Sequence, residues 1–252
     1  MTDKDNKPVI AIMRPDMYVR ESVELAKSMG FEPLAIPMVE LNNMKDSGFD
    51  PFFTRVMQGE TDYVIFSGGG GIDFTLRKIP YSIRSQFLEA LSRLYVVAVE
   101  PETKQALEDA GVKVEGMPSH HSSEGLIDYL RDSAEGAIVD IVRGQECSSI
   151  LADGLKDFGA TVRETTVYNL TDPDGDEQKE LIGAAMKGNI DVFAFTGSVM
   201  VNNFLDHAKR LGSEKDIVEV LNNYLVAAMG DTTAQTLRLH RVKADIIPDN
   251  FT

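Results

Sequence analysis

The chain has 252 residues, 43% of them apolar, a formal net charge of −15 and a single cysteine, Cys147. That length suits two ordinary domains with a core each. The negative charge argues against nonspecific nucleic-acid binding, which needs a basic surface, and one cysteine allows no intrachain disulfide.

Residues 1–7 are polar, and the opening MTDKDNKP carries no apolar secretory segment. No apolar run approaches the roughly 18 residues of a membrane-spanning helix, so a cytoplasmic protein is expected. Residues 9–13 read as a strand that leads through Arg14 and Pro15 into a helix over 16–29. Pro15 falls near the first helical turn, where its missing donor costs little. Residues 31–41 read as a second strand, and 42–60 as a polar, poorly patterned stretch. Residues 63–67 form a buried-strand pattern opening onto four glycines, 68–71, then a helix through Leu76 and another after Pro80 to Arg93. Strand, helix and strand follow at 95–99, 103–110 and 112–116, then a helix over 123–133 capped by the preceding serine loop. Residues 138–142 read as a strand, and Ile150, Leu151, Leu155 and Phe158 share one helix face that stops at Gly159. A strand over 161–170 completes that unit, and DPDGD at 172–176 is a turn. Then come a helix at 177–187, a strand at 191–196, helices at 199–211 and near 217–222, a strand at 224–229, a helix at 232–240 and a strand at 242–247.

The two halves are copies of each other. Arg14, Lys27, Gly30 and Leu41 recur 129 positions later as Arg143, Lys156, Gly159 and Leu170. DYVIFSGGGGIDFTL from Asp62 recurs as DVFAFTGSVMVNNFL from Asp191, and LYVVAVEPETKQAL from Leu94 as YLVAAMGDTTAQTL from Tyr224, the second pair 130 apart. Alternating strands and helices mean parallel sheets with helices on both faces. In such sheets ligands sit at the carboxyl ends of the strands. Those ends carry Arg14, residues 67–71, 100–103, Arg143 with Gly144, 196–198 and 230–233, and two facing halves would gather them around one cleft.

The glycine run lacks the Lys-Ser or Lys-Thr of a phosphate-binding loop, and Asp73 stands where a dinucleotide fingerprint needs glycine. Two readings stand ahead of a nucleotide site: bare backbone donors at Gly68 and Gly69 on a helix start, suited to a carboxylate, or a tight turn only. Asp172, Asp174 and Asp176 have calcium-loop spacing, but Glu177 and Gly183 stand where that loop needs glycine and glutamate, so a solvated turn is expected. His120, His121, His207 and His240 lack zinc-ligand spacing and are expected at the surface. Arg14 and Arg143, at equivalent strand ends, either pair with neighbouring carboxylates or face an acidic ligand. Tyr168, whose counterpart is Val39, is either functional or a half-exposed aromatic at a domain junction.

These residues resemble the uroporphyrinogen-III synthase family over nearly the whole chain. The resemblance rests on Met13-Arg14-Pro15, the strands ending at Ser67 and Ser198, the Pro118 to Leu126 segment, Arg143-Gly144, Val167-Tyr168 and the Gly230 to Leu237 segment. It implies two similar flavodoxin-like three-layer α/β domains with parallel sheets, discontinuous connectivity and a two-stranded connector. One domain would hold 1–37 plus 172–252 and the other 40–169. It also implies the reaction: linear hydroxymethylbilane loses its hydroxyl, ring D inverts through a spiro intermediate, and the macrocycle closes as uroporphyrinogen III. Tyr168 matches the family tyrosine thought to help the hydroxyl leave as a general acid. Arg14, Ser67, Gly68, Gly69, Thr103, Arg143, Thr196, Ser198, Gly230 and Thr232 are the expected substrate-binding residues. No cofactor and no metal are expected, and the only partner would be the small-molecule substrate, with no nucleic acid, no membrane and a monomeric chain. Three departures stand out: Glu100-Pro101-Glu102-Thr103 adds two carboxylates near the expected site, four glycines replace a Thr-Ser-Pro stretch, and the helix at 123–133 has no counterpart in the second half. They keep open an alternative, a non-catalytic two-lobed binding protein for a small acidic ligand.

Overall fold

The structure, a computed structural model, describes residues 7–145 and 148–248, so residues 1–6 and Cys147 lie outside the described part. In chain order the elements are β1 (Val9–Ile12), α1 (Asp16–Ser28), β2 (Glu32–Ala35), β3 (Glu40–Asn43), α2 (Phe49–Gln58), β4 (Tyr63–Phe66), α3 (Gly70–Arg77), α4 (Tyr81–Leu91), β5 (Tyr95–Ala98) and α5 (Pro101–Asp109). Then follow α6 (Ser123–Leu130), β6 (Ile138–Gly144), α7 (Ile150–Asp157), β7 (Thr161–Thr171), α8 (Asp176–Met186), β8 (Val192–Phe195), α9 (Ser198–Arg210), α10 (Glu214–Asn223), β9 (Leu225–Ala228) and α11 (Asp231–Leu239).

The strands form two sheets, in the orders β2-β1-β8-β9 and β3-β7-β6-β4-β5. All neighbours in the first are parallel, as are β7, β6, β4 and β5 in the second. Under the repeat, β2, β1, β8 and β9 correspond to β7, β6, β4 and β5, so both sheets have one strand order. The N-terminal β1–α1–β2 segment joins the sheet built by the end of the chain, which makes that unit discontinuous. The described residues divide into one unit, 7–40 plus 171–248, and a second unit, Leu41–Leu170.

Alternation along the strands puts helices on both faces of the second sheet. Val64, Phe66 and Val142 pack with Phe52 and Val56 of α2, Phe74 of α3 and Phe87 of α4. Ile65, Val97 and Ile141 pack instead with Leu126 of α6 and Leu151 of α7. In the first unit Phe193 and Phe195 of β8 meet Phe204 of α9 edge-on, with centroids 6.0 and 5.8 Å apart.

Five expectations change. The strand over 31–41 is two strands, β2 and β3, in different sheets, because Pro37 can give no ladder hydrogen bond. The stretch 42–60 holds α2, whose Phe49, Phe52 and Val56 form a buried face. Residues 112–116 and 242–247 make only single bridges, Val97 with Gly116 and Ala227 with Ile246. On α7 the buried face is Leu151, Ala152 and Leu155, while Ile150 and Phe158 are exposed, a shift of one position around the helix. His207 is buried, not a surface histidine, since α9 turns it onto Asp172, with Nε2 2.9 Å from Oδ1.

Another repeat pair carries strain. Gly111, after α5, has φ 85°, and its counterpart Arg241, after α11, has φ 63°. The left-handed region costs an L-residue with a side chain about 1–2 kcal/mol and costs glycine almost nothing. Arg241→Gly should therefore stabilise the first unit by about 1 kcal/mol, read as a higher urea midpoint. A midpoint that stays put or falls would show that the Arg241 side chain offsets the strain.

Candidate functional site

Tyr168 lies near the end of β7, 9% exposed, and the local backbone aims its ring. Arg143 pairs with Thr166 and Gly144 with Tyr168, so the ladder between β6 and β7 skips Val167. Such a bulge re-aims the side chain that follows it. The Tyr168 carbonyl accepts from the Gln145 N–H at 2.9 Å, and the Val167 carbonyl accepts from the Met44 N–H at 3.1 Å. The ring lies over Gly144, where an added Cβ would stand 2.6 Å from Cε2. Its hydroxyl points at Gly68, where a Cβ would stand 3.0 Å away. Phe74 of α3 packs against the ring at 5.3 Å with a 34° tilt. The phenol therefore sits at the carboxyl end of β4, beside the start of α3.

The glycine run has a packing cause. Besides Gly68 against Tyr168, a Cβ on Gly70 would meet Leu41 at 3.1 Å, and one on Gly71 would meet Phe66 at 2.9 Å. None of these glycines has a positive φ, so close approach and not backbone conformation requires them.

Lys78, directly after α3, escaped the sequence reading. Its ammonium donates to Asn43 Oδ1 at 2.6 Å, the Val167 carbonyl at 2.7 Å and the Phe74 carbonyl at 2.8 Å. It also lies 5.7 Å from the Phe49 ring centre and 5.9 Å from that of Phe74. Burial, then the Arg77 guanidinium and the Lys45 ammonium, pull its pKa down to about 8, with Asp46 pulling the other way.

Ser67 ends β4, and its backbone N–H and hydroxyl both donate to the Val142 carbonyl, at 3.1 and 3.4 Å. Together with Val99, Ser123, Leu126, Ile141, Arg143, Ser148 and Leu151 it lines a cavity of about 180 Å³ on the α6–α7 face of the second sheet. Arg143 is held there by the Glu164 carboxylate and by the Ser148 carbonyl at 3.0 Å. Ser122 caps α6, its hydroxyl accepting from the Gly125 N–H at 3.1 Å. Thr103 is turned inward, 1% exposed, and donates to Glu100 Oε1 at 3.2 Å. A larger concavity, about 560 Å³, runs along the outer side of α8 past Lys179, Gly183 and Lys187 and touches none of the expected site residues.

The first unit gathers its own set of strand ends. The Arg14 guanidinium donates to Ser22 Oγ at 3.2 Å and lies 5.2 Å from the Tyr18 ring centre. Thr196 leans on Met200 Sδ at 3.3 Å. Ser198 donates to the Thr232 carbonyl at 3.2 Å and accepts from Thr236 at 2.9 Å, which ties the start of α9 to that of α11. Gly230 has φ 99° just before α11, and Thr232 is exposed.

Among the described residues no three His, Cys, Asp or Glu side chains gather as a metal site would require. The three aspartates of the 172–176 turn are engaged with cations: Asp172 and Asp174 with Arg210, and Asp176 with Lys179. Among the described residues no helix is long and apolar enough to cross a membrane.

Residues 20–252 match the model of the family described as uroporphyrinogen-III synthase HemD. The chain belongs to the uroporphyrinogen-III synthase family. It is thereby an enzyme of tetrapyrrole synthesis. It is similar to a putative uroporphyrinogen-III synthase of Methanothermobacter thermautotrophicus, 29% identical over 96% of this chain and 93% of the relative. It is also similar to a uroporphyrinogen-III synthase of Chlorobaculum parvum, 25% identical over 96% and 93%. The fold matches a uroporphyrinogen III synthase from Thermus thermophilus with a TM-score of 0.65, at 20% identity over 97% of this chain and 94% of that one. Membership in the synthase family accounts for the two-domain α/β architecture with parallel sheets.

Proposed function

We propose that this enzyme closes linear hydroxymethylbilane into uroporphyrinogen III, inverting ring D and releasing water. The seat of Tyr168 carries this reading: a rigid phenol at a strand end, lodged in space that Gly68 and Gly144 leave open. A phenol there is suited to protonate the hydroxyl of the bilane as it departs as water. The electron push comes from the substrate's own pyrrole nitrogens, and the resulting cation is attacked by ring D to give the spiro intermediate. The protein's larger task is to hold a flexible tetrapyrrole in one reactive fold.

Eight carboxylates of the bilane need donors. Arg14 and Arg143 supply guanidinium groups, and Gly68 and Gly69 offer backbone N–H groups beside a helix start, while Gly230, whose N–H donates to the Ala228 carbonyl at 3.0 Å, shapes the turn into α11. Ser67, Thr196, Ser198 and Thr232 add hydroxyls. Thr103, buried against Glu100, serves in this reading by holding the first turn of α5. Glu164 competes with substrate for Arg143, so that arginine can exchange one carboxylate for another.

The test supplies freshly made hydroxymethylbilane and separates the uroporphyrin isomers after oxidation. Unassisted closure gives isomer I, so isomer III should predominate with the wild-type protein. Tyr168→Phe should keep the fold and lower kcat for isomer III by roughly 10²-fold. Isomer I alone from folded wild-type protein would sink the reading.

A further inference from the structure

The repeat isolates what is special about the tyrosine site. Four positions around Tyr168 differ in chemistry from their first-unit counterparts: Tyr168 replaces Val39, Gly144 replaces Pro15, Phe74 replaces Asn203 and Lys78 replaces His207. In the first unit two side chains share two tasks. Asn203 Nδ2 donates to the Met38 carbonyl at 2.7 Å, and His207 pairs with Asp172 at 2.9 Å. Met38 and Asp172 are the counterparts of Val167 and Asn43. In the second unit Lys78 performs both tasks alone, reaching the Val167 carbonyl and Asn43 at once. That releases position 74 for a phenylalanine, which packs on the Tyr168 ring.

We propose that Lys78 is a positioning residue for Tyr168 in the ring-D inversion, fixing the phenol through the Val167–Tyr168 peptide and the last turn of α3. The proposal rests on the functional reading given above. An ammonium has three N–H donors, and all three are taken by Asn43, Phe74 and Val167. Lys78 thus acts through what it holds. Val167 is the residue the β-bulge skips, so β6 does not fix its carbonyl, and Lys78 and the Met44 N–H do so instead. Orienting that carbonyl orients the peptide plane that leads into Tyr168. The bond to the Phe74 carbonyl steadies the turn whose ring covers the phenol.

A double-mutant cycle tests this with intact protein and hydroxymethylbilane. Lys78→Met keeps the apolar stem and removes the donors. It should lower kcat for isomer III roughly tenfold while KM changes little, because misplacing a reacting group by a fraction of an ångström costs rate. Lys78→Arg, which keeps charge and donors, should recover part of the loss. In a Tyr168→Phe background the same Lys78→Met change should alter kcat less than about twofold, since no phenol is left to position. Equal losses in both backgrounds would overturn the proposal and make Lys78 a purely structural latch. If Lys78→Met fails to fold, Lys78→Gln supplies the same comparison. Isomer I alone from the wild-type protein would remove the reaction and the proposal together, whereas isomer III with additive losses removes only the role of Lys78.

Discussion

Replacing Asp140 with alanine should destabilise the second unit by about 3–5 kcal/mol, because it leaves the Arg55 guanidinium without its buried partner. Asp140 lies in the middle of β6, fully buried, and meets Arg55 of α2 through both carboxylate oxygens. The Arg55 side chain is 14% exposed, so little water can replace the lost partner. Arg55→Ala should cost a similar amount by stranding the carboxylate. The repeat shows that the fold does not require the pair: the counterparts of Asp140 and Arg55 in the first unit are Ala11 and Ala184. The double variant Arg55→Ala/Asp140→Ala should therefore lose no more than the worse single change. Hydrogen-exchange protection across β6, with the urea midpoint as a second readout, measures all three. Losses that add up in the double variant would mean that each side chain stabilises through its packing and not through the other.

Gly144→Ala should nearly abolish formation of isomer III, with a loss of at least roughly 10²-fold in kcat. The backbone of Gly144 does not lie in the left-handed region, so alanine is conformationally acceptable there. Its methyl would nevertheless stand 2.6 Å from Tyr168 Cε2 and 2.9 Å from Cζ. A buried aromatic ring cannot yield as a flexible tail would, so the phenol must leave its place over Gly68. Overpacking of this kind costs about 1–3 kcal/mol of stability as well. The repeat again supplies a control, because the first unit holds Pro15 and Val39 at these positions. Adding Tyr168→Val to Gly144→Ala should restore the urea midpoint and leave kcat low. Wild-type kcat in the single variant would show that the ring's position does not limit the reaction.

Most of the architecture was legible because both strand and helix carry a period. Buried runs such as residues 63–66 and 95–98 announce strands, and glycines after the helices announce their ends. The duplication then supplied a check that a single copy would lack. The failures have local causes. The stretch 42–60 reads as poorly patterned although Pro51 falls in the first turn of α2, where no intrahelical donor is needed. Pro37 was read through as strand although it divides β2 from β3. His207 was misplaced because its burial depends on the 172–176 turn folding back onto α9. At the site, Tyr168 stood out by its mismatch with Val39. Its dependence on Gly144 and Lys78 did not, since strand register, a bulge and a helix end have to converge before those residues meet. Comparing all paired positions of the repeat, not only the matching ones, would have exposed the exchange of Pro15 and Val39 for Gly144 and Tyr168.

The crossed connectivity has a consequence for biogenesis. The Val9 N–H binds Asp191 at 2.7 Å across 182 positions of sequence, while the unit spanning Leu41–Leu170 is continuous. A ribosome delivers all of that continuous unit before β8 exists. The β1–α1–β2 segment, made before that unit, must wait with an unpaired β1 edge until β8 and the elements around it are delivered. Long-range closure of this kind is entropically slow, and an open strand edge invites pairing with other chains in the meantime. A segment translated before the continuous unit is thus completed after it, and chaperones would have a long opportunity to act on residues 9–35.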